Sequence, residues 1–110
     1  MPRLVYLDSA LDDLAKIAAD IEAFTGDREA ALASVTRLTR HCERIAGLPG
    51  LLGRRRPELR SDCRSITAGS YLVFFRYLDE GGPRAILEVI HVLHGARDLK
   101  AFFRRTYGDR

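Results

Sequence analysis

Two apolar segments of strand length, separated by a short turn, restrict this chain's fold more than any other feature. The first is Tyr71-Leu72-Val73-Phe74-Phe75-Arg76-Tyr77-Leu78, and the second runs over residues 85–93. Both are rich in aromatic and aliphatic side chains, and residues 79–83, Asp-Glu-Gly-Gly-Pro, supply the turn chemistry of an antiparallel hairpin. In the second segment Leu87, Val89, His91 and Leu93 alternate with Ile86, Glu88, Ile90 and Val92. Both sets are largely apolar, so this strand is expected at the centre of a sheet, with helices on at least one side.

The rest of the chain supplies those helices. Leu4 to Leu7 is a short apolar run suited to a buried strand. Ser9 stands three residues before Asp12 in a weak relative of a capping box, with Asp8, Asp12 and Asp13 placed near a helix N-terminus. Leu11, Leu14, Ala18 and Ile21 then recur at helical spacing and share one face. Thr25-Gly26-Asp27 breaks this helix, and Asp27 is a suitable cap for the next. Ala31, Val35, Leu38, Cys42 and Ile45 form the seam of the second helix, which Gly47 and Pro49 stop. Two seamed helices on so short a turn predict an antiparallel helical hairpin.

Residues 48–57 read as loop, Cys63 to Thr67 as an edge strand, and Leu99–Tyr107 as a short terminal helix with Phe102 and Phe103 turned inward and Asp98 as its cap. A length of 110 residues fits one domain, residues 1–110. The expected class is α+β: a strand, an antiparallel helical hairpin, a three-stranded antiparallel sheet and a short C-terminal helix.

Charge is distributed unevenly. Residues 1–36 carry a net −4, residues 37–64 a net +5 from eight arginines and three acids, and residues 65–110 a net +2. The positive middle would attract an acidic partner, protein or nucleic acid. Its loop cations Arg54, Arg55, Arg56 and Arg60, followed by Arg64, are either partner contacts or a solvated charge run. Arg76, set among large apolar residues, must reach solvent or a carboxylate, and Glu88 across the hairpin would satisfy it. His94 and Arg97 follow the last strand, with Gly95 between them giving the backbone freedom. His91 lies on an apolar strand and is expected to be a satisfied core or edge histidine. The apolar N-terminal run is too short for a signal peptide or a membrane span. Cys42 and Cys63 are therefore expected as reduced cytoplasmic thiols, and no His/Cys spacing suggests a metal.

The order of strand, helix, helix, Gly53-Arg54-Arg55-Arg56-Pro57-Glu58-Leu59, Arg64-Ser65, aromatic strand and His94-Gly95-Ala96-Arg97-Asp98-Leu99 resembles the ParE toxins. These are the gyrase-directed branch of the ParE/RelE toxin superfamily. The resemblance implies the RelE/ParE-like toxin fold and the toxin of a type II toxin–antitoxin pair. Such a toxin is neutralised by an antitoxin of the ParD kind or another type, reaches promoter DNA only through it, and inhibits DNA gyrase when free. It implies no cofactor, catalytic residue or membrane association. Target contacts are expected at Arg64, Arg76, His94 and Arg97, and antitoxin contacts at Arg54, Arg55, Arg56 and Arg60. The alternative is ribosome-dependent messenger RNA cleavage without metal, as in the RelE branch, which uses Arg, Lys and a C-terminal Tyr. Aligned on Arg97, that Tyr falls at Phe103, which has no proton to transfer. The RelE strand Arg falls near Tyr71.

Overall fold

The element order is β1 (Arg3–Tyr6), α1 (Asp8–Thr25), α2 (Arg28–Ala46), β2 (Arg54–Arg55), β3 (Arg64–Ala68), β4 (Tyr71–Leu78), β5 (Ile86–His94) and α3 (Leu99–Tyr107). These come from a computed structural model, which describes residues 2–80 and 82–108. Gly81, one residue of the turn between the two long strands, lies outside the described residues.

The sheet has five strands in the order β1-β5-β4-β3-β2. The expected three-stranded antiparallel core is present as β3, β4 and β5. Two strands extend it. β1 joins β5 in parallel from Arg3↔Ile86 to Tyr6↔Val89, and Arg54–Arg55, inside the stretch read as loop, pairs with Ser65 and Arg64. A two-residue strand leaves no periodicity in a sequence, which is why only pairing reveals it.

β4 takes the centre of the sheet; β5, expected there, is an interior strand between β1 and β4 and is covered on both faces. On one face α1 and α2 bring Ala10, Leu14, Ile17, Leu38, Cys42, Ile45 and Ala46 onto Val73, Phe75, Leu87, Val89 and Val92. On the other, Phe103 of α3 closes a smaller core with Cys63, Phe74 and Leu93. The simple alternation expected along β5 does not hold. Phe74 pairs with His91 but Phe75 pairs with Val89, so Ile90 is an extra residue in a bulge. Beyond it the faces exchange: Leu87, Val89 and Val92 look towards the helical hairpin, while His91 and Leu93 look towards α3.

The two expected caps are present. Asp27 accepts from the N–H groups of Glu29 and Ala30, and Asp98 accepts from Ala101. Ser9 is not a cap. Helix α1 begins at Asp8 with Leu7 in the cap position, and the Ser9 hydroxyl donates instead to the Ile90 carbonyl at 2.6 Å. β1 ends at Tyr6, so the outer edge of β5 beyond Val89 lacks a strand; Ser9 and Asp13 fill that gap from α1. The buried face of α1 is also rotated by about one position. It runs through Ala10, Leu14 and Ile17, leaving Leu11 exposed. The seam of α2 is as expected.

Candidate functional site

Four of the eight site residues singled out from sequence, all arginines, are held by intramolecular partners. Arg76 stands opposite Glu88 in the ladder; its Nε donates to Glu88 Oε1 at 2.7 Å and its Nη1 to Asp62 Oδ2 at 3.0 Å. Burial would raise Asp62, but the hydrogen bond from Arg76 and the charges of Arg60 and Arg76 outweigh it, and its carboxyl lies below its ordinary value. Arg60 adds a second pairing to Asp62 at 3.6 Å and lies over the ring of Tyr107. Arg56 donates to the Ser65 hydroxyl at 2.8 Å and pairs with Glu58. Arg64 reaches the Gly53 carbonyl at 3.4 Å. These contacts tie the segment before β3 to the sheet, a structural use of cations expected to meet partners.

Four others are open to solvent. Arg54 and Arg55 are exposed on the edge strand β2, with Arg55 directly opposite Arg64. His94, the last residue of β5, and Arg97, just past it, are exposed. The His94 ring meets Tyr71 edge-on at 5.4 Å between centroids, and its Nδ1 accepts from the Ala96 N–H at 3.1 Å. The Arg97 guanidinium lies 4.3 Å from the centre of the Phe102 ring, an attraction worth about 0.5–1 kcal/mol at an exposed site. Both groups therefore present their polar atoms from aromatic supports.

The structure also assembles a basic groove whose members sequence reasoning did not select. It has a volume of about 720 Å³ and lies between α2 and the β3–β4 turn, lined by Arg37, Arg40, His41 and Arg44 on one side and by residues 67–71 on the other. The signal was present: Arg37, Arg40 and Arg44 recur every three or four residues, within the positive middle of the chain. Arg44 Nη2 donates to His41 Nδ1 at 2.7 Å, which places the ring hydrogen on Nε2. That N–H is buried without an acceptor among the described residues. Burial, and then the charge of Arg44, lower the His41 pKa below its ordinary 6.5.

A polar relay is buried elsewhere. His91, 3% exposed, donates from Nδ1 to Asp13 Oδ2 at 2.7 Å, and its Nε2 meets the Tyr107 hydroxyl at 2.6 Å. The same Asp13 oxygen accepts the Val92 N–H at 2.9 Å. The set links α1, β5 and α3 and resembles a catalytic triad in chemistry only. Phe102, Phe103 and Tyr107 pack around the imidazole, so it serves to hold three elements together. This agrees with the expectation of a satisfied histidine. Phe103 is 4% exposed and packs edge-on against Phe74.

Among the described residues no cluster of three His, Cys, Asp or Glu could hold a metal, and no helix is long and apolar enough to cross a membrane. Cys42 and Cys63 are both buried free thiols.

The comparison with known families is decisive. A family model described as "ParE toxin of type II toxin-antitoxin system, parDE" matches residues 4–99. The chain belongs to the ParE toxin family. The match takes in both helices of the hairpin, all of the sheet but Arg3, and the His94–Arg97 segment. It ends as α3 begins. A solved structure described as "Chromosomal ParDE TA system from P. aeruginosa" superposes with a TM-score of 0.70. It covers 86% of this chain and 96% of that one at 18% identity, a similarity of fold. No curated protein matches the chain. As a ParE toxin, the protein has the α+β fold that its sequence order implied.

Proposed function

We propose that this ParE toxin is the active half of a cytoplasmic toxin–antitoxin pair, neutralised by a cognate antitoxin of the ParD kind and inhibiting DNA gyrase by binding when free. The observation that supports binding rather than catalysis is how the proton-transfer groups are placed. RNA cleavage without metal needs an acid and a base at the phosphate, with cations around it. His91, Asp13 and Tyr107 are spent on one another inside the molecule, and the position aligned with the RelE phenol is Phe103, a core residue. His94 and Arg97, by contrast, are exposed at the end of β5, suited to contacting a protein surface. Arg54 and Arg55 at the sheet edge are among the exposed cations available to an acidic antitoxin.

Adding the purified toxin to gyrase and, separately, to translating ribosomes tests this reading. Loss of supercoiling with intact messenger RNA is the expected result. Cleaved message with unaffected supercoiling would assign the protein to the RelE mode of action. Co-expression with the antitoxin should restore growth and yield a stable complex.

A further inference from the structure

The groove between α2 and the β3–β4 turn holds cations that are oriented but not neutralised. Arg56, Arg60 and Arg76 are each paired with a carboxylate. Arg37, Arg40 and Arg44 are exposed, none forms an ion pair among the described residues, and no carboxylate lines the groove. Neutral acceptors steady two of them instead. Arg37 Nη2 donates to the Ser34 hydroxyl at 3.1 Å, and Arg44 Nη2 donates to His41 Nδ1 at 2.7 Å. A guanidinium held this way keeps its whole charge and its other donors for an anion. The α-helical rise of roughly 1.5 Å per residue sets Arg37 and Arg44 about 10 Å apart along the axis, with Arg40 between them. The opposite wall carries Thr67 and Ser70, whose hydroxyls are donors of a kind that phosphate oxygens accept. That wall is continuous with the exposed end of β5. The Gly95 N–H donates to the Ser70 carbonyl at 2.9 Å, and Tyr71, in the groove, meets the His94 ring edge-on.

We propose that this groove holds the phosphodiester backbone of DNA while the end of β5 contacts gyrase. Arg37, Arg40 and Arg44 meet successive phosphates of one strand, and Thr67 and Ser70 donate from the other side. Such contacts position a protein on DNA without reading its bases, so binding is independent of sequence. An acidic peptide would satisfy the same arginines. The continuity of the groove with His94 favours DNA, because gyrase carries its own DNA substrate close to any surface on which it is inhibited. The inference rests on the gyrase reading above and makes the toxin's target the enzyme with its DNA bound.

Two measurements test the proposal: anisotropy of a labelled DNA duplex of arbitrary sequence, and binding of the toxin to gyrase with and without DNA. The wild type is compared with Arg37→Glu/Arg40→Glu and with the milder Arg37→Gln/Arg40→Gln, which serves if the reversal fails to fold. Three phosphate contacts predict a logarithmic salt slope of about −2.7, or about fortyfold weaker duplex binding at roughly 200 mM salt than at roughly 50 mM. The neutral variant should flatten that slope to about −0.9, and the reversal should weaken duplex binding by about tenfold or more. Both variants should keep a thermal midpoint close to wild type. DNA-bound gyrase should hold the wild-type toxin about tenfold or more tighter than gyrase alone, and the variants should lose only that gain. No duplex binding by the wild type, or duplex affinity unchanged in the folded variants, overturns the groove assignment and leaves the gyrase reading standing. Duplex binding that the variants lose, from a toxin that neither binds nor inhibits gyrase, defeats the gyrase reading and supports the groove as a DNA site. Polyglutamate that displaces the duplex at equal charge concentration makes the occupant an acidic peptide and overturns the proposal.

Discussion

Arg76 shows how a cation in an apolar strand is accommodated by two carboxylates, Glu88 beside it and Asp62 from the preceding segment. Arg76→Ala should cost about 2 kcal/mol, because Glu88, 11% exposed, loses its partner. Growth inhibition should fall only in proportion to the folded fraction, as chemical denaturation read beside toxicity would show. Burial raises the Cys63 thiol to about 11, so thiol reagents at pH 8 should modify it only as fast as the protein opens. His41 gives a pH dependence with a definite sign. Its folded pKa lies below the ordinary 6.5, so as pH falls through that value the unfolded chain takes up the proton first. Stability present above pH 6.5 is then lost as pH falls below that value, before Asp62, depressed from 3.8, begins to matter. Denaturation across pH 5–7 should show this loss in the wild type and a flatter profile in His41→Asn.

At the scale of elements, legibility followed periodicity. The seam of α2, the long strands β4 and β5, the caps Asp27 and Asp98, and the terminal helix with its inward Phe103 were readable because each leaves a local pattern. The bulge at Ile90 was not, since an extra residue in an apolar run does not disturb its composition. Ser9 and Asp13 were misread for a related reason. Their local chemistry suits a helix start, but β1 is shorter than β5, and the unpaired strand edge takes both side chains. The basic groove needed tertiary structure altogether, because α2 and the β3–β4 turn are far apart in sequence. The loop arginines, prominent in sequence, proved partly structural. α3 is held by the Tyr107–His91 contact as well as by Phe103. Tyr107→Phe should therefore cost about 1–2 kcal/mol in thermal or denaturant unfolding by leaving His91 Nε2 without a partner. Phe103→Tyr should lower stability and yield no RNA cleavage, because its hydroxyl would be placed in the core.

Across the whole molecule, the charge polarity of the chain becomes a division of surfaces. Arginines from the middle third line the groove beside α2 and the edge at β2, while His94 and Arg97 stand at the end of β5. On the proposed reading, that division would let one small domain present separate faces to an antitoxin and a target. The family and its fold were legible from the order of short motifs; the division was not, because it depends on which cations the fold has already paired. The direct test is a supercoiling titration of DNA gyrase with purified wild-type toxin and with Arg97→Ala. Arg97 contributes little to the core, so the variant should keep a thermal midpoint close to wild type. Half-inhibition should then require about ten- to a hundredfold more protein, the effect of one charge-assisted contact. Supercoiling unaffected by the wild-type toxin at any concentration, or inhibited equally by a folded Arg97→Ala variant, would contradict the account.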